Sequence, residues 1–180
     1  MLIRKVCVLC TGCPESRIDS TRVKNFLIEN KWIIPDEVED ADLILFRACG
    51  LTNKLTENSI QVIRRLKAEK KENAQFIVWG CLPKINMEAL RTVYNGITFG
   101  EDEANILDKI LEAKKPFAEV TANSCMPIFE LKPPGLIERL DDFFSKNFCI
   151  AESETIFEIK VSTGCLDNCS FCNVRRSRED

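Results

Sequence analysis

The stretch DLILFRACG, residues 42–50, decides the fold of the chain around it. Its apolar run, residues 43–46, stops at Cys49-Gly50, which is typical of a buried strand followed by a turn. Polar residues then alternate with apolar ones at helical spacing, so the strand leads into a helix. The positions that carry this spacing are Leu55, Ser59, Val62, Ile63 and Leu66.

The same order of strand, turn and helix recurs on both sides of this stretch. Further strands are predicted at residues 2–9, 76–79 and 97–99, and further helices at residues 16–30, 86–94 and 104–114. Alternation of this kind predicts an α/β fold, with a parallel sheet of about four to five strands and helices on both faces.

The pattern suggests three regions. Residues 1–115 form the α/β domain, and residues 116–150 form a linker that is interrupted by four prolines and contains one helix at residues 136–148. Residues 151–180 begin a second unit with a strand at residues 156–161, and this unit breaks off at Asp180. We therefore expect the chain by itself to be incomplete.

The composition limits the chemistry. The 180 residues carry a net charge of −3, which gives no strong field for nucleic acid. Ten cysteines without a signal peptide favour a cytoplasmic protein whose clustered thiols bind metal or act in catalysis. No apolar run is long enough to span a membrane. The absence of histidine excludes histidine-containing zinc sites and leaves thiolates as the main soft ligands.

Three cysteines follow predicted strands, each beside a glycine. They are Cys13 in TGC, Cys49 in ACG and Cys81 in WGC. If the strands are parallel, the three thiols meet at one edge of the sheet, where they can hold a 4Fe-4S cluster and leave one iron open. The alternative is that these cysteines are simply buried at strand ends.

The first of these cysteines also belongs to a local array, Cys7, Cys10 and Cys13, in KVCVLCTGC. A bacterial ferredoxin run would need a fourth cysteine at the position of Arg17. Cys7 falls within the predicted strand, so we expect it to be buried as a small apolar residue. Cys10 lies close to the predicted cluster and is a candidate spare ligand.

A second constellation lies in TGCLDNCSFC, where Cys165, Cys169 and Cys172 follow a predicted strand with Cys-x₃-Cys-x₂-Cys spacing. A closed zinc site needs a fourth ligand, and no cysteine or histidine follows. Three thiolates instead leave one iron of a 4Fe-4S cluster open, and that iron can chelate S-adenosylmethionine.

With both triads in view, the sequence resembles the radical S-adenosylmethionine methylthiotransferases. Cys165, Cys169 and Cys172, with Phe171 near the S-adenosylmethionine, are similar to the radical cluster loop of that family. The auxiliary cluster cysteines of the amino-terminal domain are matched in GCPESRIDS, ACGLTNKLTENS and GCLPK, at Cys13, Cys49 and Cys81. The resemblance implies two 4Fe-4S clusters, and residues 151–180 as the truncated start of a radical S-adenosylmethionine partial TIM barrel.

The resemblance also implies the reaction. S-adenosylmethionine would supply a methyl group for sulfur on the auxiliary cluster, and a 5′-deoxyadenosyl radical would abstract hydrogen from an unactivated C–H bond. The substrate would be a tRNA adenosine next to the anticodon or an aspartate of a ribosomal protein. A flavodoxin or ferredoxin would supply electrons to a monomeric enzyme. The alternative from another class is a non-catalytic iron–sulfur or zinc module for electron transfer or docking.

Two features depart from the family. Arg47-Ala48 stands before Cys49, where an Asn-Thr pair is usual, so that ligand has a different environment. After Cys172 the chain reads NVRRSRED, where the family tends towards a proline and an Arg-Gly pair. We expect Arg175, Arg176 and Arg178 to lie on a solvated loop.

Overall fold

A computed structural model describes residues 4–11, 13–35, 38–121, 159–161 and 169–177. The strands are β1 (Val6–Cys10), β2 (Leu43–Arg47), β3 (Gln75–Trp79) and β4 (Thr98–Phe99). The helices are α1 (Pro14–Glu29), α2 (Asn53–Glu69), α3 (Cys81–Ile85), α4 (Met87–Arg91) and α5 (Ile106–Ile110). Short 3-10 turns occupy Val38–Asp40 and Phe117–Glu119, and a single helical turn occupies Asn173–Arg176.

The four strands form one parallel sheet in the order β1-β2-β3-β4. The register pairs Cys10 with Arg47 and Arg47 with Trp79, so β1, β2 and β3 end level with one another. The predicted α/β class and the parallel sheet are confirmed. The residues that follow these strands must therefore leave the sheet at a common edge.

A further short pairing lies outside β1. Ile33 forms a parallel bridge with Lys5, and its carbonyl accepts a hydrogen bond of 2.8 Å from the Val6 N–H. The chain thus moves outward from β1 through α1 to Ile33 and then returns to β2 on the other side of β1. The order in which the chain adds strands to the sheet therefore reverses between β1 and β2. Open α/β sheets bind ligands at the carboxyl edge of the sheet, at the point of such a reversal. Cys13 and Cys49 flank that position.

Helices cover both faces of the sheet, as predicted. On one face, α2 packs Val62, Ile63 and Leu66 against alternate side chains of β1 and β2. On the other face, α1 packs Val23, Phe26 and Leu27, and the neighbouring α5 and the 3-10 turn after it contribute Leu107 and Phe117. Strands buried on both faces read as continuous apolar runs, which is why they were recognisable in the sequence.

Some element boundaries differ from the prediction. The helix predicted at residues 86–94 is the shorter α4, which begins after Asn86, whose side chain accepts a hydrogen bond from the Ala89 N–H. The helix α3 before it was not predicted, because its residues were expected to form a turn. The helix predicted at residues 104–114 is shorter, since α5 ends at Ile110.

The chain beyond residue 115 remains packed on this domain as far as it is described. Phe117 and Val120 are buried in the core on the α1 face, and Arg22 donates hydrogen bonds to both of their carbonyls. The boundary at residue 115 stays a prediction. The predicted helix at residues 136–148 lies outside the described residues, as does most of the predicted strand at 156–161, whose described part, residues 159–161, is not in a strand. Within the described ranges, no helix is both long and apolar enough to cross a membrane.

Candidate metal centre

Two of the three strand-end thiols are in contact. Cys49 and Cys81 each lie two residues beyond the paired ends of β2 and β3, so the sheet register places them side by side. Their sulfur atoms are 3.7 Å apart, and both residues are buried. The sequence-based expectation that these two thiols meet at one edge therefore agrees with the geometry.

Two buried hydroxyl groups fix the backbone of Cys49. The Cys49 N–H donates to Ser59 Oγ at 3.0 Å, and Ser59 Oγ donates back to the Cys49 carbonyl at 2.9 Å. Thr11 Oγ1 lies 3.1 Å from Ser59 Oγ and 3.4 Å from the Cys49 nitrogen. Because Thr11 follows β1 and Ser59 belongs to α2, this network holds the Cys49 loop to two elements at once.

The Cys81 thiol has donors that favour its charged form. Its pKa is lowered to about 7, mainly by the hydrogen bond with Cys49, with further help from the Gly50 N–H and Arg47. The Gly50 nitrogen lies 3.2 Å from Cys81 Sγ. The same contact with Cys81, together with burial, raises the pKa of Cys49. Cys81 is therefore the thiol of the pair that ionises first.

A glycine makes the Cys81 turn possible. Gly80 has φ of +105°, a conformation that side-chain-bearing residues rarely adopt. A Cβ atom at Gly80 would lie 2.9 Å from the Ala48 carbonyl oxygen and 2.9 Å from Cγ of Arg47. The turn into Cys81 thus needs both the backbone freedom and the empty space of glycine.

Cys13 occupies the N-cap position of α1 and is exposed. Its sulfur lies 3.6 Å from Ser16 Oγ, and its charge is one of the smaller causes that raise the pKa of Cys49. Among the residues that the structure describes, no three cysteine or carboxylate side chains are placed to hold a single metal ion. The geometry thus brings Cys49 and Cys81 together and leaves Cys13 exposed at the start of α1.

The two remaining cysteines of the amino-terminal array lie in β1. Cys7 is buried in the core as expected, and burial, together with Glu39, raises the pKa of its thiol to about 12. Cys10 is half-buried and directly pairs in register with Arg47. Its pKa is raised by burial, against the lowering effect of Arg47 and of a hydrogen bond with Ser20.

Arg47, which the sequence marks as unusual before Cys49, is buried at this edge among partners that were not predicted. Only 1% of the Arg47 side chain is exposed, and its Nη2 lies 3.0 Å from Oδ2 of Asp19. It also pairs with Glu101 and donates to the Ser16 hydroxyl, while its guanidinium lies 5.4 Å from the centre of the Trp79 ring. Burial lowers the pKa of Arg47, but Glu101 and Asp19 outweigh it and raise the pKa.

The second triad is described only in part. Cys165 lies outside the described residues, while Cys169 and Cys172 are half-buried and Phe171 is 83% exposed. The Cys172 N–H donates to the Cys169 carbonyl at 3.1 Å. Directly after Cys172, Asn173 Nδ2 donates to the Leu51 carbonyl at 2.8 Å, so this segment touches the loop that follows Cys49.

Sequence signals existed for some of the missed residues. Ser59 is a small polar residue in the apolar stripe of α2, a position where a hydroxyl is buried and therefore needs partners. Arg47 ends an otherwise apolar strand, and a buried arginine needs carboxylate partners to offset the cost of removing its charge from water. Asp19 and Glu101, which supply them, carried no local signal because they lie 28 and 54 residues from Arg47.

Comparison with known proteins adds relatives that cover nearly the whole chain. A tRNA-2-methylthio-N(6)-dimethylallyladenosine synthase of Ralstonia nicotianae is 26% identical over 98% of this chain and 37% of its own length. The ribosomal protein uS12 methylthiotransferases RimO of Pseudomonas paraeruginosa and Thiobacillus denitrificans are 26% and 27% identical over 97% and 94% of the chain. The chain spans about a third of the length of these relatives.

The model of one protein family matches residues 5–100, which include β1 to β4 and all three strand-end thiols. That range is more than half of the 180 residues. The resemblance to methylthiotransferases that the two cysteine triads indicated is thereby confirmed. The chain belongs to the family described as uncharacterized protein family UPF0004, and its relatives named above include ribosomal protein uS12 methylthiotransferases.

Proposed function

We propose that this chain is the amino-terminal part of a cytoplasmic methylthiotransferase and binds an auxiliary 4Fe-4S cluster through Cys13, Cys49 and Cys81. The observation that carries the proposal is the contact between Cys49 and Cys81, whose sulfurs lie 3.7 Å apart at the carboxyl edge of a parallel sheet. Cys13 lies across the same edge, where the strand order reverses.

The donor set suits an iron–sulfur cluster. Thiolates are the usual ligands of such clusters, and the protein contains no histidine for a mixed zinc site. Each thiolate binds a different iron, so the three sulfurs need not converge on one point. To bind two different irons, Cys49 and Cys81 would move apart from their present contact. The glycine beside each cysteine allows that adjustment.

When bound, the auxiliary cluster would supply the sulfur that is methylated and transferred. The residues of the chain position and shield this site. Ser59 and Thr11 hold the Cys49 backbone, and the Gly50 N–H donates towards the Cys81 sulfur. Cys13 is exposed, so solvent can reach the site at this ligand.

We further propose that Cys165, Cys169 and Cys172 hold a radical 4Fe-4S cluster that binds S-adenosylmethionine, with Phe171 beside it. Support comes from the spacing and from the Asn173–Leu51 hydrogen bond, which brings the end of this loop against the loop of Cys49. A transfer between two sites requires that they be neighbours, and this contact is consistent with that requirement.

The substrate of the whole enzyme is a tRNA adenosine next to the anticodon or an aspartate of a ribosomal protein, and the relatives include enzymes named for each class. Mass spectrometry of tRNA nucleosides and of ribosomal proteins, from cells with and without the full-length gene, identifies which one is modified. We also propose that the enzyme is monomeric and takes electrons from a flavodoxin or ferredoxin.

The cluster assignment is tested by anaerobic reconstitution of the chain, followed by iron and sulfide analysis. Two clusters correspond to about eight irons per chain, and the auxiliary cluster alone to about four. Replacing Cys13, Cys49 or Cys81 by Ala should lower the iron content, whereas Cys7→Ala is the matched control and should not. Stoichiometric zinc without brown colour would overturn the proposal in favour of a zinc module.

A further inference from the structure

Arg47 is a charged side chain buried at the edge that carries the candidate cluster ligands. Burying an ion is costly unless it is paired, and truncating such an ion leaves its partners unpaired. The chain bears this cost two residues before Cys49, one of the candidate cluster ligands. A buried charge at this position calls for an explanation in terms of the site.

Two carboxylates and a lysine form the surroundings of Arg47. Asp19 and Glu101 both form ion pairs with Nη2 of Arg47, and only 17% and 9% of their side chains are exposed. Lys160 Nζ lies 2.8 Å from the other oxygen of Asp19 and 3.2 Å from Glu15. The guanidinium is therefore locked in position by groups from α1, from the loop after β4 and from residue 160.

The stem of the arginine packs against the turn that carries Cys81. Its Cγ lies against Gly80, and its guanidinium lies over the ring of Trp79, the last residue of β3. On the other side it pairs in register with Cys10. Its Nε is buried and has no hydrogen-bond partner within the described ranges, so one N–H at this edge remains available to an acceptor.

We propose that Arg47 is a positioning residue that places a fixed positive charge beside the auxiliary cluster and raises its reduction potential. This inference rests on the proposed function, because it requires a cluster on Cys13, Cys49 and Cys81. A reduced cluster carries one more negative charge than an oxidised one, and a nearby buried cation stabilises the reduced form. Asp19 and Glu101 set how much of that charge the cluster experiences.

The test measures the midpoint potential of the auxiliary cluster. The full chain carries Cys165→Ala, Cys169→Ala and Cys172→Ala so that only one cluster is titrated, and it is reconstituted anaerobically and followed by redox titration. Arg47→Met, which keeps the length but removes the charge, should lower the potential. Arg47→Lys, which retains the charge, should stay closer to the parent. Glu101→Gln removes a negative charge and should raise the potential.

The opposite signs for Arg47→Met and Glu101→Gln distinguish an electrostatic role from a purely structural one. Equal shifts for Arg47→Met and Arg47→Lys, or an unchanged potential in Glu101→Gln at full iron content, would overturn the inference. If Arg47→Met fails to fold or to load iron, the midpoint potentials of Glu101→Gln and Arg47→Lys decide whether Arg47 acts through its charge. A parent chain that takes up no iron would overturn the proposed function, whereas iron uptake with unshifted potentials would overturn only the role of Arg47.

Discussion

The sulfur atoms of Cys49 and Cys81 touch at 3.7 Å although 32 residues separate them in the sequence. The register of β2 and β3 alone brings them together, since Arg47 pairs with Trp79 and each cysteine lies two residues further on. A contact of this kind makes the chemistry of one thiol depend on the other.

The first prediction concerns the pH dependence of this thiol pair. Thiolate is the reactive form, and the pKa of Cys81 is lowered to about 7 from the ordinary value of 9.0. In the metal-free chain, the rate of Cys81 alkylation by iodoacetamide should therefore rise with a midpoint near 7. Cys49→Ala removes the main hydrogen bond to the thiolate, so the midpoint should move upwards.

Cys7 is the internal control in that experiment. Its pKa is raised to about 12, and it is buried in the core, so it should remain unmodified in the folded protein at pH 8. Peptide mapping by mass spectrometry measures each cysteine separately. A Cys81 midpoint at or above 9 in the otherwise unaltered chain would contradict the prediction.

The second prediction concerns Gly80. Gly80→Ala forces a side chain into the positive-φ region and against the Ala48 carbonyl, so the free energy of unfolding should fall by about 1–3 kcal/mol. Urea unfolding followed by circular dichroism measures the loss. Glu57→Ala, on the exposed side of α2, is the matched control and should change stability little. Equal stability of the two variants would argue against the close approach at Gly80.

The third prediction concerns the buried hydroxyl pair. Ser59→Ala leaves the Cys49 N–H with only the longer contact to Thr11, and stability should fall by about 1–2 kcal/mol. Thr11→Val removes the other member of the same network. Because the two hydroxyls are in contact, the losses should not add in the double variant. Strict additivity in urea unfolding would show that the two groups act independently.

The fourth prediction concerns the contact between the two cysteine-bearing regions. Asn173→Ala removes the hydrogen bond to the Leu51 carbonyl, so amide hydrogen exchange in residues 169–177 should become several-fold faster. Arg176→Ala is the control, since the Arg176 side chain donates its hydrogen bond to the Ser170 carbonyl inside the same segment. Exchange that is unchanged in Asn173→Ala, or equally raised in both, would mean that this bond does not hold the segment.

The elements that the sequence predicted well are those whose pattern is local. β2 and β3 are continuous apolar runs, and α2 has a regular apolar stripe, so their positions followed from residue spacing. The bridge at Ile33 involves too few residues to show any periodicity. That bridge, however, fixes where the strand order reverses.

The site was predictable only to the extent that it follows from the strand ends. Placing Cys13, Cys49 and Cys81 beyond parallel strands required no knowledge of tertiary contacts. Identifying the partners of Arg47 did require that knowledge, because Asp19 and Glu101 reach Arg47 from elements far apart in the chain. The contact of Asn173 with Leu51, across 122 residues, was equally beyond local pattern. Cys165 lies outside the described residues, so its role stays a prediction.

The unequal burial of the three thiols has a consequence for the timescale on which each meets solvent. Cys49 and Cys81 are buried in the turns just beyond the two central strands, so solvent reaches either one only when its turn opens locally. Cys13 stands at the first turn of α1 and needs only local fraying. We therefore expect oxidants and metal chelators to reach the site by way of Cys13 first, with the other two thiols following more slowly.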